Sequence, residues 1–170
     1  MNRKPLFVAI LMVSLVALAQ TVVLDVIRIA GVAPDLVLLV LVYSAHKQGS
    51  MNGQITGLVG GLVEDLTSLA PLGFNSLTRV AVGFLAGSTR NKMFLDPIFM
   101  PIILVTGATL FKALLAALIV GVFGIETATQ RILGQRLLIE LAYNAVLAPV
   151  LFALLNAVRP LHPTVRGSRR

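Results

Sequence analysis

The fold class this sequence predicts is an all-α membrane protein, a bundle of six transmembrane helices with both termini cytoplasmic. Three observations predict it. The 170 residues are 57% hydrophobic and 12% charged, whereas a soluble domain carries about twice that share of charge. The apolar residues fall into six runs near the length of about 20 residues that a helix needs to cross about 30 Å of hydrocarbon. The basic residues gather at the ends of those runs, on one alternate set of connections.

In chain order the runs are Pro5 to Leu24, Val32 to His46, Ser50 to Leu69, Phe74 to Thr89, Ile98 to Phe123 and Leu133 to Val158. The second and fourth are short, so thinning, tilt or partial immersion is expected there. The opening residues, Asn2-Arg3-Lys4 followed by an apolar run and Ala17-Leu18-Ala19-Gln20, imitate a secretory signal with its cleavage site. The run continues through Thr21 to Leu24, which favours a retained helix. With a cytoplasmic N-terminus, Arg3, Lys4, Lys47, Arg90, Lys92, Arg159, Arg166, Arg169 and Arg170 lie inside. Only Arg28, Arg131 and Arg136 lie outside, as the positive-inside bias requires. Residues 1–160 make a single membrane domain and residues 161–170 a basic cytoplasmic tail suited to anionic headgroups.

Charge and composition exclude several functions. The net charge of +7 sits at helix edges and builds no basic face, so nucleic-acid binding is not expected. There is no cysteine, hence no thiolate metal site and no disulfide framework. His46 and His162 lie at the cytoplasmic boundary and suggest no metal. No nucleophile with its base, no phosphate-cradling loop and no spaced pair of carboxylates occurs, so the reading is a non-enzyme without cofactor.

The informative residues are polar ones inside the runs. Asp35, Glu64, Asp65, Arg79, Lys112 and Glu140 each cost a few kcal/mol at mid-bilayer unless paired or hydrated. In the six-span arrangement they concentrate towards the extracytoplasmic half, together with Asn75 and with Asn144, one turn beyond Glu140. A second pattern joins them. Gly53, Gly57, Gly61 and Asp65 are spaced by four on the third helix, and Asn75, Arg79, Gly83 and Gly87 repeat that spacing on the fourth. Small residues at this interval let two helix backbones approach closely where lipid supplies no hydrophobic drive. The connection Ala70-Pro71-Leu72-Gly73 is short and makes these helices antiparallel neighbours. Asp65 and Arg79 then reach similar depth, and an ion pair between them, supplemented by Asn75, is the expectation.

These residues carry a family resemblance. Ala33-Pro34-Asp35-Leu36-Val37, the stretch Gly57 to Asp65, Pro71-Leu72-Gly73-Phe74-Asn75-Ser76-Leu77 and Val82-Gly83-Phe84-Leu85-Ala86-Gly87 resemble, in this order, the MreD family of rod shape-determining proteins. The motif-bearing part spans Ala33 to Arg90, while the fifth and sixth helices match in general character only. The resemblance implies a non-catalytic multi-pass component of the bacterial inner membrane within the cell-wall elongation complex, maintaining cell shape during peptidoglycan synthesis. It implies MreC as partner, with MreB, RodA and a class B penicillin-binding protein in the wider company. Asp35, Asp65, Gly73 and Asn75 match recurring family positions. Their outer-side location suggests contact with MreC.

The alternative is a membrane-embedded small-molecule binder like the substrate-specific components of energy-coupling-factor vitamin transporters, six-helix proteins of similar size and fold. Two features stand against it. The A-x-x-x-A docking motif is missing from the first helix, where Ala9 is followed by Val13, and the chain has no tryptophan. A proton or ion pathway through Glu64, Lys112 and Glu140 is a third reading.

Overall fold

The computed structural model describes residues 3–23, 31–68, 70–90, 98–123 and 134–158. They form six α-helices: α1 (Arg3–Val23), α2 (Leu36–Gln48), α3 (Ser50–Thr67), α4 (Phe74–Ser88), α5 (Phe99–Val122) and α6 (Gln135–Asn156). Three of these, α1, α5 and α6, are long and apolar enough to cross a membrane. Arg28, Lys92, Arg131 and the basic tail lie outside the described residues.

The six helices lie where the apolar runs are, with one instructive difference. The second run is expected from Val32, yet α2 begins at Leu36. Pro34 disfavours helical backbone in the residue before it, and Asp35 caps the helix by accepting from the Leu38 N–H at 2.8 Å. The 13 residues of α2 rise only about 20 Å. This helix is the axis of the fold, and every residue from Val37 to Ala45 is buried. A helix apolar all round must be sheathed by its neighbours, and α2 packs against all five others.

Both ends of α2 are held by side chains from elsewhere, as buried helix termini require. At its start the Gln20 Oε1 of α1 accepts from the Val37 N–H at 2.9 Å, and the Asn144 Oδ1 of α6 accepts from the Asp35 N–H at 3.0 Å. At its end Arg90 donates from Nη1 to the Gln48 carbonyl at 2.8 Å. Gln48 in turn donates from Nε2 to the Pro5 carbonyl at 3.0 Å. Only Gly49 separates α2 from α3, at φ 96° and ψ 171°, a backbone that side chains rarely permit.

The glycine rows meet as their spacing suggests. A Cβ placed on Gly53 would overlap the Gly83 carbonyl, one on Gly57 the Arg79 carbonyl, and one on Gly61 the Ser76 Cα. From the other side, Gly83 meets Gly53 and Gly87 meets Ser50. The backbones of α3 and α4 are therefore in direct contact along the whole seam. Gly60, off the row, admits a side chain of α1: Val13 Cγ1 fills the space that its own Cβ would take. Ala9, Val13 and Ala17 form the buried stripe of α1, so this part of the helix faces inward.

The core collects that stripe, α2, Val82, Ala86, Leu104, Val105, Ala148 and Phe152. Tyr43 anchors its far end with its ring edge-on to Phe152, centroids 5.1 Å apart. Leu114, Leu118, Leu138, Val146, Val150 and Leu154 point outward and are exposed. Such a leucine-rich outer surface is what hydrocarbon solvates.

Candidate functional site

Five helices contribute to one charged assembly at the end of the bundle where α2 begins. Arg79, 4% exposed, is its most buried charged residue. Its Nη2 donates to Asp35 Oδ1 at 2.9 Å and to Glu64 Oε1 at 2.5 Å, while Nε donates to Glu64 Oε2. Lys112 Nζ donates to the other Asp35 oxygen at 2.8 Å and to Glu140 Oε1. The result is an alternating chain, Glu64–Arg79–Asp35–Lys112–Glu140, running from α3 through α4, the start of α2 and α5 to α6.

Alternation is the physical point. A lone buried charge is prohibitively costly, and a buried pair costs less the more of its remaining lone pairs and protons are satisfied. Here Asp35 accepts from two bases and from its own helix N-terminus. Glu64 receives the Arg79 guanidinium on both oxygens, a bidentate geometry that suits Arg and no other side chain. Behind the chain Asn144, fully buried, accepts from the Asp35 N–H and donates from Nδ2 to Thr109 Oγ1 at 3.1 Å. Thr109 donates onward to the Val105 carbonyl at 2.8 Å.

The expected Asp65–Arg79 pair is not formed. Glu64 takes the arginine, and Asp65 is committed to the start of α4. Its Oδ2 accepts from the Gly73 N–H at 2.9 Å, the Ser76 N–H at 3.1 Å and the Ser76 hydroxyl at 2.7 Å. Its Oδ1 accepts from the Asn75 N–H at 2.9 Å. One carboxylate thus satisfies three of the backbone donors that a helix N-terminus leaves open, at the positive end of the helix dipole. Successive residues on a helix differ by about 100°, and that rotation directs Glu64 and Asp65 to separate targets. Asn75 supplements neither pair with its side chain, which donates to Ser68 Oγ at 3.4 Å. Gly73 fits through its conformation: at φ 93° it is left-handed and turns its N–H toward Asp65.

Asp65→Asn is expected to destabilise the protein by about 1–3 kcal/mol, because an amide nitrogen cannot accept what Oδ1 or Oδ2 now accepts. Combining Asp65→Arg with Arg79→Asp is expected to be worse than either change alone. Midpoints of thermal aggregation in a mild detergent measure both outcomes.

Asp35, Glu64, Arg79, Lys112, Glu140 and Asn144 are therefore brought together, while Asp65, Gly73 and Asn75 form a neighbouring capping site. Reasoning from the sequence misses Thr109, Ser76, Gln20 and Arg136. Thr109 precedes Lys112 by three residues and so shares its helix face, a signal that was available. Ser76 and Gln20 carry no such sign, because their partners become visible only with the turn and the helix packing in place.

Beside the assembly lies a cavity of about 400 Å³, between the start of α4, the second half of α5 and the start of α6. Arg79, Lys112, Glu140, Asn75, Thr78 and the exposed Arg136 supply its polar lining. No curated protein and no solved structure matches the chain. A model of the family of the rod shape-determining protein MreD matches it over residues 1–158. That span takes in every described helix and every residue of the charged assembly. The chain thus belongs to the MreD family, whose role is in rod shape determination.

Proposed function

We propose that this protein is a non-catalytic component of the bacterial inner membrane that crosses it six times with both termini cytoplasmic, and that it docks MreC. RodA, a class B penicillin-binding protein and MreB belong to the wider complex. The observation that supports this reading best is the closure of the charged chain. Its carboxylates and bases are engaged with one another across five chain segments, which makes that end of the bundle a stiff platform. Residues committed in this way hold a surface in shape and do not turn over a substrate. In the six-span arrangement the platform faces the extracytoplasmic side, where the positive-inside count places it.

The test is a photo-crosslinking scan in cells. Probes at Leu72 and Asn75 are expected to capture MreC, and probes at Met51 and Ser88 are not. Capture confined to the second pair would overturn the docking side.

The cavity favours a second reading, a membrane-embedded small-molecule binder. Against it, the Ala9 and Val13 positions, where a transporter component would carry its docking motif, are buried inside the fold. Affinity purification from a mild detergent extract separates the two: wall-synthesis proteins support the first, and a transport ATPase the second.

A further inference from the structure

A second opening follows the charged cavity along the interface of α4 and α5. On α4 its wall passes through Thr78 and Arg79; one turn further along, Val82 and Ala86 line a second opening of about 160 Å³. On α5 the same progression runs from Lys112 to Phe111, Gly107 and Leu104. Along this α4/α5 seam the first opening is polar and the second is apolar. From Arg79 to Thr89, just past the end of α4, the two openings together span about 15 Å.

The polar end has donors to spare. Arg79 is buried, yet its Nη1 lacks any hydrogen-bond partner, and Arg79 lines the cavity. The assembly's carboxylates do not meet that need. Both oxygens of Asp35 and of Glu64 are occupied, and Glu140 is turned to Lys112. Arg136 stands exposed at the rim and adds a second guanidinium. A buried arginine nitrogen with no acceptor is costly, and a phosphate oxygen is its preferred mate. Three cationic side chains against one carboxylate in the cavity lining, Arg79, Lys112 and Arg136 against Glu140, suit an anionic headgroup.

We propose that the α4/α5 seam holds one phospholipid, with its phosphate against Arg79 and Arg136 and one hydrocarbon chain along Val82, Ala86, Gly107 and Phe111. The proposal rests on the membrane placement above and not on the docking of MreC. Gly107 provides the means to test it. A Cβ there meets nothing within 4 Å, and the same holds for Gly121, which lines neither opening. Gly107→Leu therefore projects a side chain into the second opening, and Gly121→Leu is its matched control.

The experiment is native mass spectrometry of the full chain, released from detergent after equilibration with phosphatidylglycerol, phosphatidylethanolamine or diacylglycerol. The wild type and Gly121→Leu are expected to retain one molecule of either phospholipid and roughly tenfold less diacylglycerol, as the loss of a charged contact implies. Gly107→Leu and Arg136→Glu are each expected to lower phospholipid retention by a similar factor. Arg136 is exposed, so its variant leaves the fold intact and keeps the test decisive if Gly107→Leu fails to fold. Equal retention of diacylglycerol, or unchanged retention in the folded variants, would overturn the proposal. Recovery of a polypeptide from the seam in place of lipid would do the same.

Discussion

Arg79→Met is expected to be among the most damaging single substitutions in this chain. Methionine retains much of the stem's volume, but it strips Glu64 of its bidentate partner and Asp35 of one of its two bases. Breaking a buried ion pair from one side costs about 3–5 kcal/mol, because the abandoned charge stays buried. Here two carboxylates are abandoned together, and protonation of one of them sets the ceiling on the loss. The measurable result is a fall in monodisperse protein after graded heating of a detergent extract, read by size-exclusion chromatography. The pairing itself is checked by a double variant. Adding Glu64→Gln to Arg79→Met is expected to recover part of the loss, since the second change removes a charge that the first left stranded. Adding Asp65→Asn is expected to recover nothing. Recovery with Asp65→Asn and not with Glu64→Gln would show that the arginine's partner is the other carboxylate.

Gly83→Ala is the second change expected to act strongly. Overpacking costs about 1–3 kcal/mol when side chains can shift to absorb it, and occasionally more. At Gly83 the added methyl meets the carbonyl and backbone of Gly53, which have no rotamer to change. Relief requires α3 and α4 to separate, and that movement pulls Glu64 from Arg79 and Asp65 from the start of α4 at the far end of the same seam. A loss at or above about 3 kcal/mol follows, measured by the same heating series. Gly107→Ala and Gly121→Ala supply the contrast. Their methyl groups meet open space, and alanine favours a helix by up to about 1 kcal/mol over glycine. Neutral or slightly improved stability is expected at both. If Gly83→Ala behaves like them, the backbone contact between α3 and α4 is wrong.

Much of this arrangement is legible in the order of residues. Spacing by four places Gly53, Gly57 and Gly61 on one ridge and Gly83 and Gly87 on another, and a four-residue connection leaves the two ridges no choice but to face each other. The cost of a buried charge also draws Asp35, Glu64, Asp65, Arg79, Lys112 and Glu140 towards one neighbourhood, and Asp65 is the member that the structure sets apart. Which carboxylate meets which base is a different question. Glu64 and Asp65 lie at nearly the same depth, so depth does not separate them. What separates them is the rotation of α3 about its axis, which the contact with α4 sets.

The length of α2 marks the same boundary. Its apolar run is compatible with a short span, and Pro34 and Asp35 show where it can begin. That its N-terminus is buried follows only from Gln20, Asn144 and Lys112, which lie 17, 109 and 77 residues from the groups they bond. Local pattern is enough for the six helices, the close seam between α3 and α4, and the charged group with Asp65 excepted. The wiring of that group, the capping role of Asp65 and the cavity beside Arg79 arise from how the helices pack. The physical reason is that burial energy depends on depth and helix face, which are local and periodic. Hydrogen-bond pairing depends on the mutual rotation of helices, which no local pattern encodes.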